Sequence, residues 1–214
     1  GSTMTDELIF YTNPMSRGRI VRWMLEEVGA PYRTEIVPYG PAMKGPEFRA
    51  INPMGKVPAL RHGGQTVTET PAICAYLADA FPEAGLAPAA AARGAYYRWL
   101  FFAAGPLEAA VSNRQYGVEL TPKQQGMVGY GTFATVMDTL SAGVTDALSG
   151  GGFISGDRFT AADLYVGAQI GWGLKFGSIE ERPGFADYWA KIGDREAWRR
   201  ATALDDAAMP ANAD

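Results

Sequence analysis

Residues 51–60 read Ile-Asn-Pro-Met-Gly-Lys-Val-Pro-Ala-Leu, and residues 69–73, Glu-Thr-Pro-Ala-Ile, follow shortly after. Pro58 has no N–H to donate to a β-ladder, so we expect it at the mouth of a strand rather than inside one. With a cis bond before Pro58, the backbone N–H and C=O of Val57 would face outward and could pair with another peptide backbone. The acidic and hydroxyl residues that open the second stretch would start a helix and offer free N–H groups beside their side chains. A ligand with a peptide bond in its middle and an amino acid at one end suits both stretches.

This pattern, N-P-x-G-x-V-P followed by an acidic residue, a hydroxyl residue and Ala-Ile, resembles the glutathione site of the cytosolic glutathione transferases. The resemblance covers nearly the whole chain. It implies that Pro58 is cis, that Val57 pairs with the cysteinyl backbone of glutathione, and that Glu69 and Thr70 hold its γ-glutamyl end. Two lysines are implied near the glycyl carboxylate: Lys44 and Lys56.

Composition limits the class of protein. The chain has 214 residues, of which 47% are hydrophobic and 20% charged, so it is expected to be globular with room for two cores. No apolar run approaches the roughly 18 residues of a membrane span. A net charge of −4, with arginines scattered along the chain, gives little support for nucleic-acid binding.

The single cysteine, Cys74, excludes an internal disulfide and a C-x-x-C redox pair. One cysteine and one histidine also exclude an ordinary zinc site. We therefore expect a reduced, cytoplasmic protein that binds no metal. Gly1-Ser2-Thr3 ahead of Met4 is interpreted as a remnant of recombinant expression, with no signal peptide.

The first eighty residues alternate strand and helix signals. Apolar residues at helical spacing predict a helix over 19–28, between short apolar strands. A hairpin and a further helix follow. The order βαβ then ββα predicts a thioredoxin-like domain over residues 4–81. The predicted elements are strand 8–11, helix 19–28, strand 32–37, hairpin strands 57–61 and 65–68, and helix 71–80.

Residues 82–88 are predicted to form a linker, and residues 89–214 an all-helical domain. Thr121-Pro122-Lys123-Gln124 is a helix start with a capping box. Phe159–Leu164 contains a second box, Thr160 with Asp163, whose role is interpreted as folding rather than chemistry. The predicted fold class is thus α+β with two domains, a thioredoxin-like βαβ-ββα domain followed by an all-α domain.

A glutathione transferase must stabilise the thiolate of glutathione, since a free thiol with a pKa of about 8.5 is only slightly ionised at pH 7. The turn Thr12–Arg19, between the first strand and the first helix, is the expected place because free N–H groups at a helix start favour an anion. Tyr11, one residue before the turn, is expected to face the core.

Members of the family use Tyr, Ser or Cys in this turn. When Arg17-Gly18-Arg19 is used as the register, the tyrosine position falls on Asn13, the serine position on Met15, and the cysteine position near Arg17. Ser16 is our first candidate for the thiolate donor, and a plain helix N-cap is its alternative role. Asn13, whose amide can donate hydrogen bonds but cannot remove a proton, is the second candidate.

An apolar electrophile would bind aromatic side chains of the second domain. Their more frequent role is packing, since a helix that is aromatic on nearly every face must bury part of it. The candidate pocket residues are Tyr97, Phe101, Tyr116, Trp172 and Phe176. Cys74 is interpreted as a core residue and His62 as a solvated turn residue.

The resemblance implies a homodimer with a detoxification-type activity, in which glutathione is the co-substrate and is added to a small apolar electrophile. Two alternatives stay open. One is a glutathione-dependent peroxidase or disulfide reductase, and the other is a non-catalytic binding or regulatory protein that keeps the fold.

Overall fold

We describe residues 7–211 of the chain in a computed structural model. The interpretation of Gly1-Ser2-Thr3, and the first residues of the predicted 4–81 domain, lie outside this range. Residues up to Gly85, together with those from Arg195 onward, form one compact unit, and Leu86–Asp194 forms another.

The first unit contains four strands, which are β1 (Leu8–Thr12), β2 (Arg33–Ile36), β3 (Ala59–His62) and β4 (Gln65–Thr68). They form one sheet in the order β2-β1-β3-β4. Strands β1 and β2 are parallel, and the β1–β3 and β3–β4 pairs are antiparallel. This is the sheet expected of a thioredoxin-like βαβ-ββα domain, so the predicted fold class is confirmed.

Helix α1 (Gly18–Val28) follows β1, as its apolar spacing predicts, and ends at Gly29, whose φ of 73° completes the helix end without Cβ strain. Two one-turn helices that the sequence analysis missed, α2 (Pro41–Lys44) and α3 (Pro46–Arg49), lie between β2 and β3. Both begin at a proline and are too short to produce a detectable periodicity. Helix α4 (Thr70–Ala80) follows β4.

The second unit is helical. Its helices are α5 (Gly94–Phe102), α6 (Glu108–Gln115), α7 (Pro122–Met127), α8 (Phe133–Ser149), α9 (Ala161–Phe176) and α10 (Phe185–Ile192). A π-helical turn over Ala103–Leu107, containing Pro106, separates α5 from α6. Both predicted capping boxes are confirmed: Thr121 with Gln124 begins α7, and Thr160 with Asp163 begins α9.

The last helix, α11 (Glu196–Ala207), belongs to the first unit, although the sequence analysis grouped all of 89–214 together. It packs on α1. Ala197, Ala201 and Asp205 are its buried positions, spaced four residues apart, so they form one face along the helix. Small side chains on that face allow the two helices to approach closely.

Candidate functional site

Three segments of the first unit meet at one end of its sheet. In the strand register, Ala59 pairs with Tyr11 on one side and with Thr68 on the other. The residues that precede β3, follow β1 and follow β4 must therefore lie close together. They are, respectively, Val57 and Pro58, the turn that leads into α1, and Glu69 and Thr70.

The Val57–Pro58 peptide bond is cis, which confirms that expectation. Pro58 is buried, and Val57 is half-buried against the cluster that contains Phe48 and Ala59. Among residues 7–211, no hydrogen bond joins the backbone N–H or C=O of Val57 to a partner. Val57 therefore keeps one backbone donor and one acceptor beside the start of β3.

Asn52 supports the loop that leads to Val57, a role that the sequence analysis missed. The residue is buried; its Nδ2 donates to the carbonyl of Lys56 at 2.8 Å, and its Oδ1 accepts from the N–H of Met54 at 3.1 Å. The Asn-Pro dipeptide was the available signal, because an Asn side chain before a turn commonly bonds the backbone two residues on.

Lys44 supports the same loop from the other side. Its Nζ donates to the carbonyl of Gly55 at 2.7 Å, and Gly55 has a φ of 61°, in the left-handed region. The Lys44 ammonium thus lies beside this loop, and Lys56, whose side chain is exposed, belongs to the loop itself.

Glu69 and Thr70 occupy the start of α4. Glu69 is exposed and has a φ of 74°, a conformation that L-residues seldom adopt and that costs about 1–3 kcal/mol. Thr70 is buried, and its hydroxyl has no hydrogen-bond partner among residues 7–211. Pro71 has no N–H and the N–H of Ile73 bonds the carbonyl of Glu69, so the N–H groups at the start of α4 without an intrahelical acceptor are those of Thr70 and Ala72.

The turn before α1 uses most of its polar groups internally. The Ser16 hydroxyl donates to the Asn13 carbonyl at 2.7 Å and accepts from the Gly18 N–H at 2.9 Å. Asn13 donates from Nδ2 to the carbonyl of Val37 at 3.1 Å, and its Oδ1 accepts from the N–H of Met15 at 3.0 Å. Ser16 is therefore occupied in both roles, whereas the Asn13 amide has a second N–H with no partner among residues 7–211.

Thr12, at the end of β1, is a third polar side chain of the turn and one that the sequence analysis did not select. Its Oγ1 is buried without a hydrogen-bond partner in the described chain. A Cβ on Gly18 would lie 1.8 Å from that oxygen, so only glycine fits at position 18. Tyr11, as expected, packs on the Val37 and Phe48 cluster.

The five aromatic candidates all lie in the second unit, and the structure brings them together only as pairs. The rings of Tyr97 and Phe101 are 6.4 Å apart between centroids, and those of Trp172 and Phe176 are 5.8 Å apart. Within residues 7–211 no ring contact joins one pair to the other, or either pair to Tyr116. Except for Trp172, which is half-buried, these side chains are exposed.

Two residues set aside by the sequence analysis are also placed. Cys74 is fully buried, and desolvation raises the pKa of its thiol to about 12. His62 was expected to be solvated, but it is half-buried and its Nδ1 lies within hydrogen-bond distance of the hydroxyl of Tyr76, at 2.6 Å.

No group of three His, Cys, Asp or Glu side chains within 7–211 is arranged to hold a metal ion. Over the same range, no helix is both long and apolar enough to cross a bilayer.

Residues 15–80 match the family model of the glutathione S-transferase N-terminal domain. Glutathione S-transferase F10 of Arabidopsis thaliana is 30% identical over 182 residues, covering 75% of this chain and 81% of that protein. Protein LigF of Sphingobium sp. is 60% identical over 38 residues, or 18% of this chain, and that match spans only 15% of LigF. A sphingomonad glutathione S-transferase, whose structure was determined in complex with glutathione, is 28% identical with a TM-score of 0.72. That structural match covers 92% of this chain and 98% of the other.

Proposed function

The chain belongs to the glutathione S-transferase family, and we propose that it binds glutathione, stabilises the thiolate and transfers it to a small apolar electrophile. The observation that carries the proposal is the strand register around Ala59, which gathers three separate sequence segments at one end of the sheet. The segment before β3 offers the unpaired backbone N–H and C=O of Val57, and the segment after β4 offers a helix start with the Glu69 carboxylate. The turn after β1 offers side-chain hydrogen-bond donors.

Each part of glutathione has a proposed partner. The unpaired N–H and C=O of Val57 pair with the cysteinyl backbone, as an added strand would. The Glu69 carboxylate binds the γ-glutamyl ammonium, and the Thr70 hydroxyl with the first N–H groups of α4 binds the γ-glutamyl carboxylate. Lys44 and Lys56 provide positive charge for the glycyl carboxylate.

The sulfur is proposed to lie above the turn before α1. There the Asn13 amide donates its second N–H to the thiolate, while the first stays on the Val37 carbonyl. Ser16 is the alternative donor, but its hydroxyl proton would first have to leave the Asn13 carbonyl. A hydrogen bond to a charged group contributes about 1.5–3 kcal/mol, equivalent to one or two pKa units of the thiol.

Chemistry then needs no covalent enzyme intermediate. The thiolate attacks the electrophilic carbon, a carbon–sulfur bond forms, and a leaving group departs or a proton adds to the neighbouring atom. The proposed apolar contacts of the electrophile are the pair Tyr97 with Phe101, the pair of half-buried Trp172 with Phe176, and Tyr116. We also propose that the protein is a homodimer, which would elute from a sizing column at twice the mass of the chain.

The deciding experiment is an ultraviolet difference titration of glutathione with the protein between about pH 5 and 9, which follows thiolate absorbance. Thiolate formation well below the pKa of free glutathione supports the proposal. Binding seen by calorimetry without early thiolate formation would indicate a binding protein instead, and absence of binding would contradict the ligand assignment.

Two variants separate the candidate donors. Asn13→Ala is expected to raise the pKa of the bound thiol by about one unit or more, with little change in glutathione affinity. Ser16→Ala, which loses a helix-start contact, is expected to lower the free energy of unfolding by about 1 kcal/mol and to change the thiol pKa much less. The reverse pattern would identify Ser16 as the donor.

A further inference from the structure

Arg19, in the first turn of α1, contacts two separate parts of the first unit. Its Nε donates to the carbonyl of Pro14 at 2.6 Å, inside the turn proposed to hold the glutathione sulfur. Its Nη1 donates to Oδ1 of Asp206, on α11, at 2.9 Å. The planar guanidinium fixes the geometry of both contacts at once, which a lysine ammonium could not do.

The contact with Pro14 bears on the orientation of Asn13. The Pro14–Met15 peptide unit is planar, so its carbonyl and its N–H turn together. Arg19 holds the carbonyl end, and Oδ1 of Asn13 accepts from the N–H end at 3.0 Å. If Arg19 released the carbonyl, the peptide could rotate, and the Asn13 amide would lose one of the two contacts that fix its orientation, keeping only the bond from Nδ2 to the Val37 carbonyl.

Helix α11 offers a fixed support on the other side. Asp205, adjacent to Asp206, is fully buried and accepts from Nε of Arg22 at 3.0 Å. At the start of α11, Arg195 donates from Nε and Nη2 to the two carboxylate oxygens of Glu27. Contacts at both ends of the α1–α11 pair therefore hold the backbone that carries Asp206.

We propose that Arg19 is a positioning residue: with Asp206, it connects the C-terminal helix to the Pro14–Met15 peptide and so holds Asn13 in its donating orientation. This inference rests on the proposed function for its catalytic consequence, because Asn13 matters there through the glutathione sulfur. Its structural part, the support of the turn, concerns the protein without ligand.

Arg200 provides a matched control. It joins the same two helices, and it likewise contacts one carboxylate and one backbone carbonyl, donating to Oε1 and to the carbonyl of Glu26 at 3.2 Å each. Those contacts lie near the C-terminal end of α1, away from the turn. Removal of Arg200 thus removes a comparable interhelical ion pair without touching Pro14.

The experiment compares Arg19→Ala, Asp206→Ala and Arg200→Ala in the 214-residue chain. Without ligand, amide hydrogen exchange at Met15 and Ser16 is expected to become about tenfold faster in Arg19→Ala and to change in the same direction, but less, in Asp206→Ala. Arg200→Ala is expected to leave both amides unchanged. With glutathione, the bound thiol pKa is expected to rise by about one unit in Arg19→Ala and to stay constant in Arg200→Ala.

The inference is overturned if the amides of Met15 and Ser16 exchange at the same rate in Arg19→Ala and Arg200→Ala. It is equally overturned if their exchange rate in Asp206→Ala equals that of the wild type. It is also overturned if the turn loosens in Arg19→Ala while the bound thiol keeps its pKa. Failure of the proposed function has a different signature: the wild-type protein itself shows no bound thiolate, and the exchange comparison then decides whether Arg19 and Asp206 hold the turn.

Discussion

Glu69 combines an exposed carboxylate with a backbone φ of 74°, which L-residues seldom adopt. Such a conformation persists only where the surrounding structure holds it, and it is frequent at ligand-binding positions. Here it lies between the end of β4 and the start of α4, next to the half-buried Val57. We propose that this carboxylate binds a cationic group of a ligand that also reaches the first turn of α4.

Glu69→Gln is therefore expected to weaken glutathione binding by about tenfold, the effect of losing a charge-assisted hydrogen bond of about 1.4 kcal/mol. Calorimetry measures the dissociation constant. Glu83→Gln, which removes another exposed carboxylate of the first unit, should leave it unchanged. Equal affinities for the two variants would show that Glu69 does not contact the ligand.

Cys74 tests the redox alternative. Its thiol is fully buried on α4, and desolvation raises its pKa to about 12, so the reactive thiolate is scarce at neutral pH. Iodoacetamide is expected to leave Cys74 unmodified in the native protein and to alkylate it rapidly in denaturant, as mass spectrometry would show. Rapid native labelling would reopen a mechanism through the protein's own thiol.

Among the elements, α9 has the most buried start. Asp163 accepts from the N–H of Ile154 at 2.9 Å, from the N–H of Thr160 at 3.0 Å and from the hydroxyl of Tyr188 at 2.6 Å. The box at α7, formed by Thr121 and Gln124, uses the same local motif at the surface. Because the box at α9 is buried, it should contribute far more to the free energy of unfolding than the exposed box at α7.

Asp163→Ala leaves three buried donors without an acceptor and is expected to lower the free energy of unfolding by about 3–5 kcal/mol. Gln124→Ala, in the exposed box, should lower it by no more than about 1 kcal/mol. Chemical denaturation measures both. Similar losses would mean that the burial of Asp163 does not matter.

Asp163 also predicts a pH dependence. Desolvation raises its pKa in the folded protein above 3.8, although the hydrogen bonds from Ile154, Tyr188 and Thr160 oppose the shift. The folded state then binds the proton more tightly than the unfolded chain, so this residue's contribution to stability falls as pH rises from about 4 toward the folded pKa. The difference in unfolding free energy between wild type and Asp163→Asn, measured across that interval, should follow this sign.

At the scale of the whole molecule, the chain returns to its first unit with its last helix, α11. The buried face of α11 lies on α1, and Asp205 pairs there with the buried guanidinium of Arg22. Arg22 also donates to the hydroxyls of Tyr32 and Thr34, so the pair belongs to a polar network inside this unit.

Asp205→Ala is expected to cost about 3–5 kcal/mol of unfolding free energy, because it leaves the Arg22 charge buried without its carboxylate. Arg200→Ala removes an exposed arginine from an ion pair between the same helices, and Glu26 keeps its hydrogen bond from Tyr32, so this change should cost less than about 1 kcal/mol. Thermal or denaturant unfolding compares them. Equal costs would indicate that α11 is held by apolar packing alone.

Much of the fold could be predicted because its signals are local. The spacing of apolar residues predicted α1, and the residues Thr160 and Asp163, three apart, predicted the start of α9. Pro58 was expected at the mouth of a strand predicted over 57–61, and β3 begins one residue after it, at Ala59. The one-turn helices α2 and α3 were missed because four residues are too few for periodicity to appear.

The candidate site divides in the same way. Short sequence motifs contain Val57, Pro58, Glu69 and Thr70. The order of residues in these motifs was therefore enough to select the four positions and to show the resemblance to a family. The hydrogen bonding of the turn before α1 depends on residues far away in the chain: Asn13 bonds Val37, 24 positions on, and Arg19, which bonds Pro14 in the turn, also bonds Asp206, 187 positions on. Local sequence determines caps, turns and strand starts because their partners are a few residues apart. Which polar groups remain free to bind a ligand, and which unit receives the last helix, were decided only when distant segments packed together.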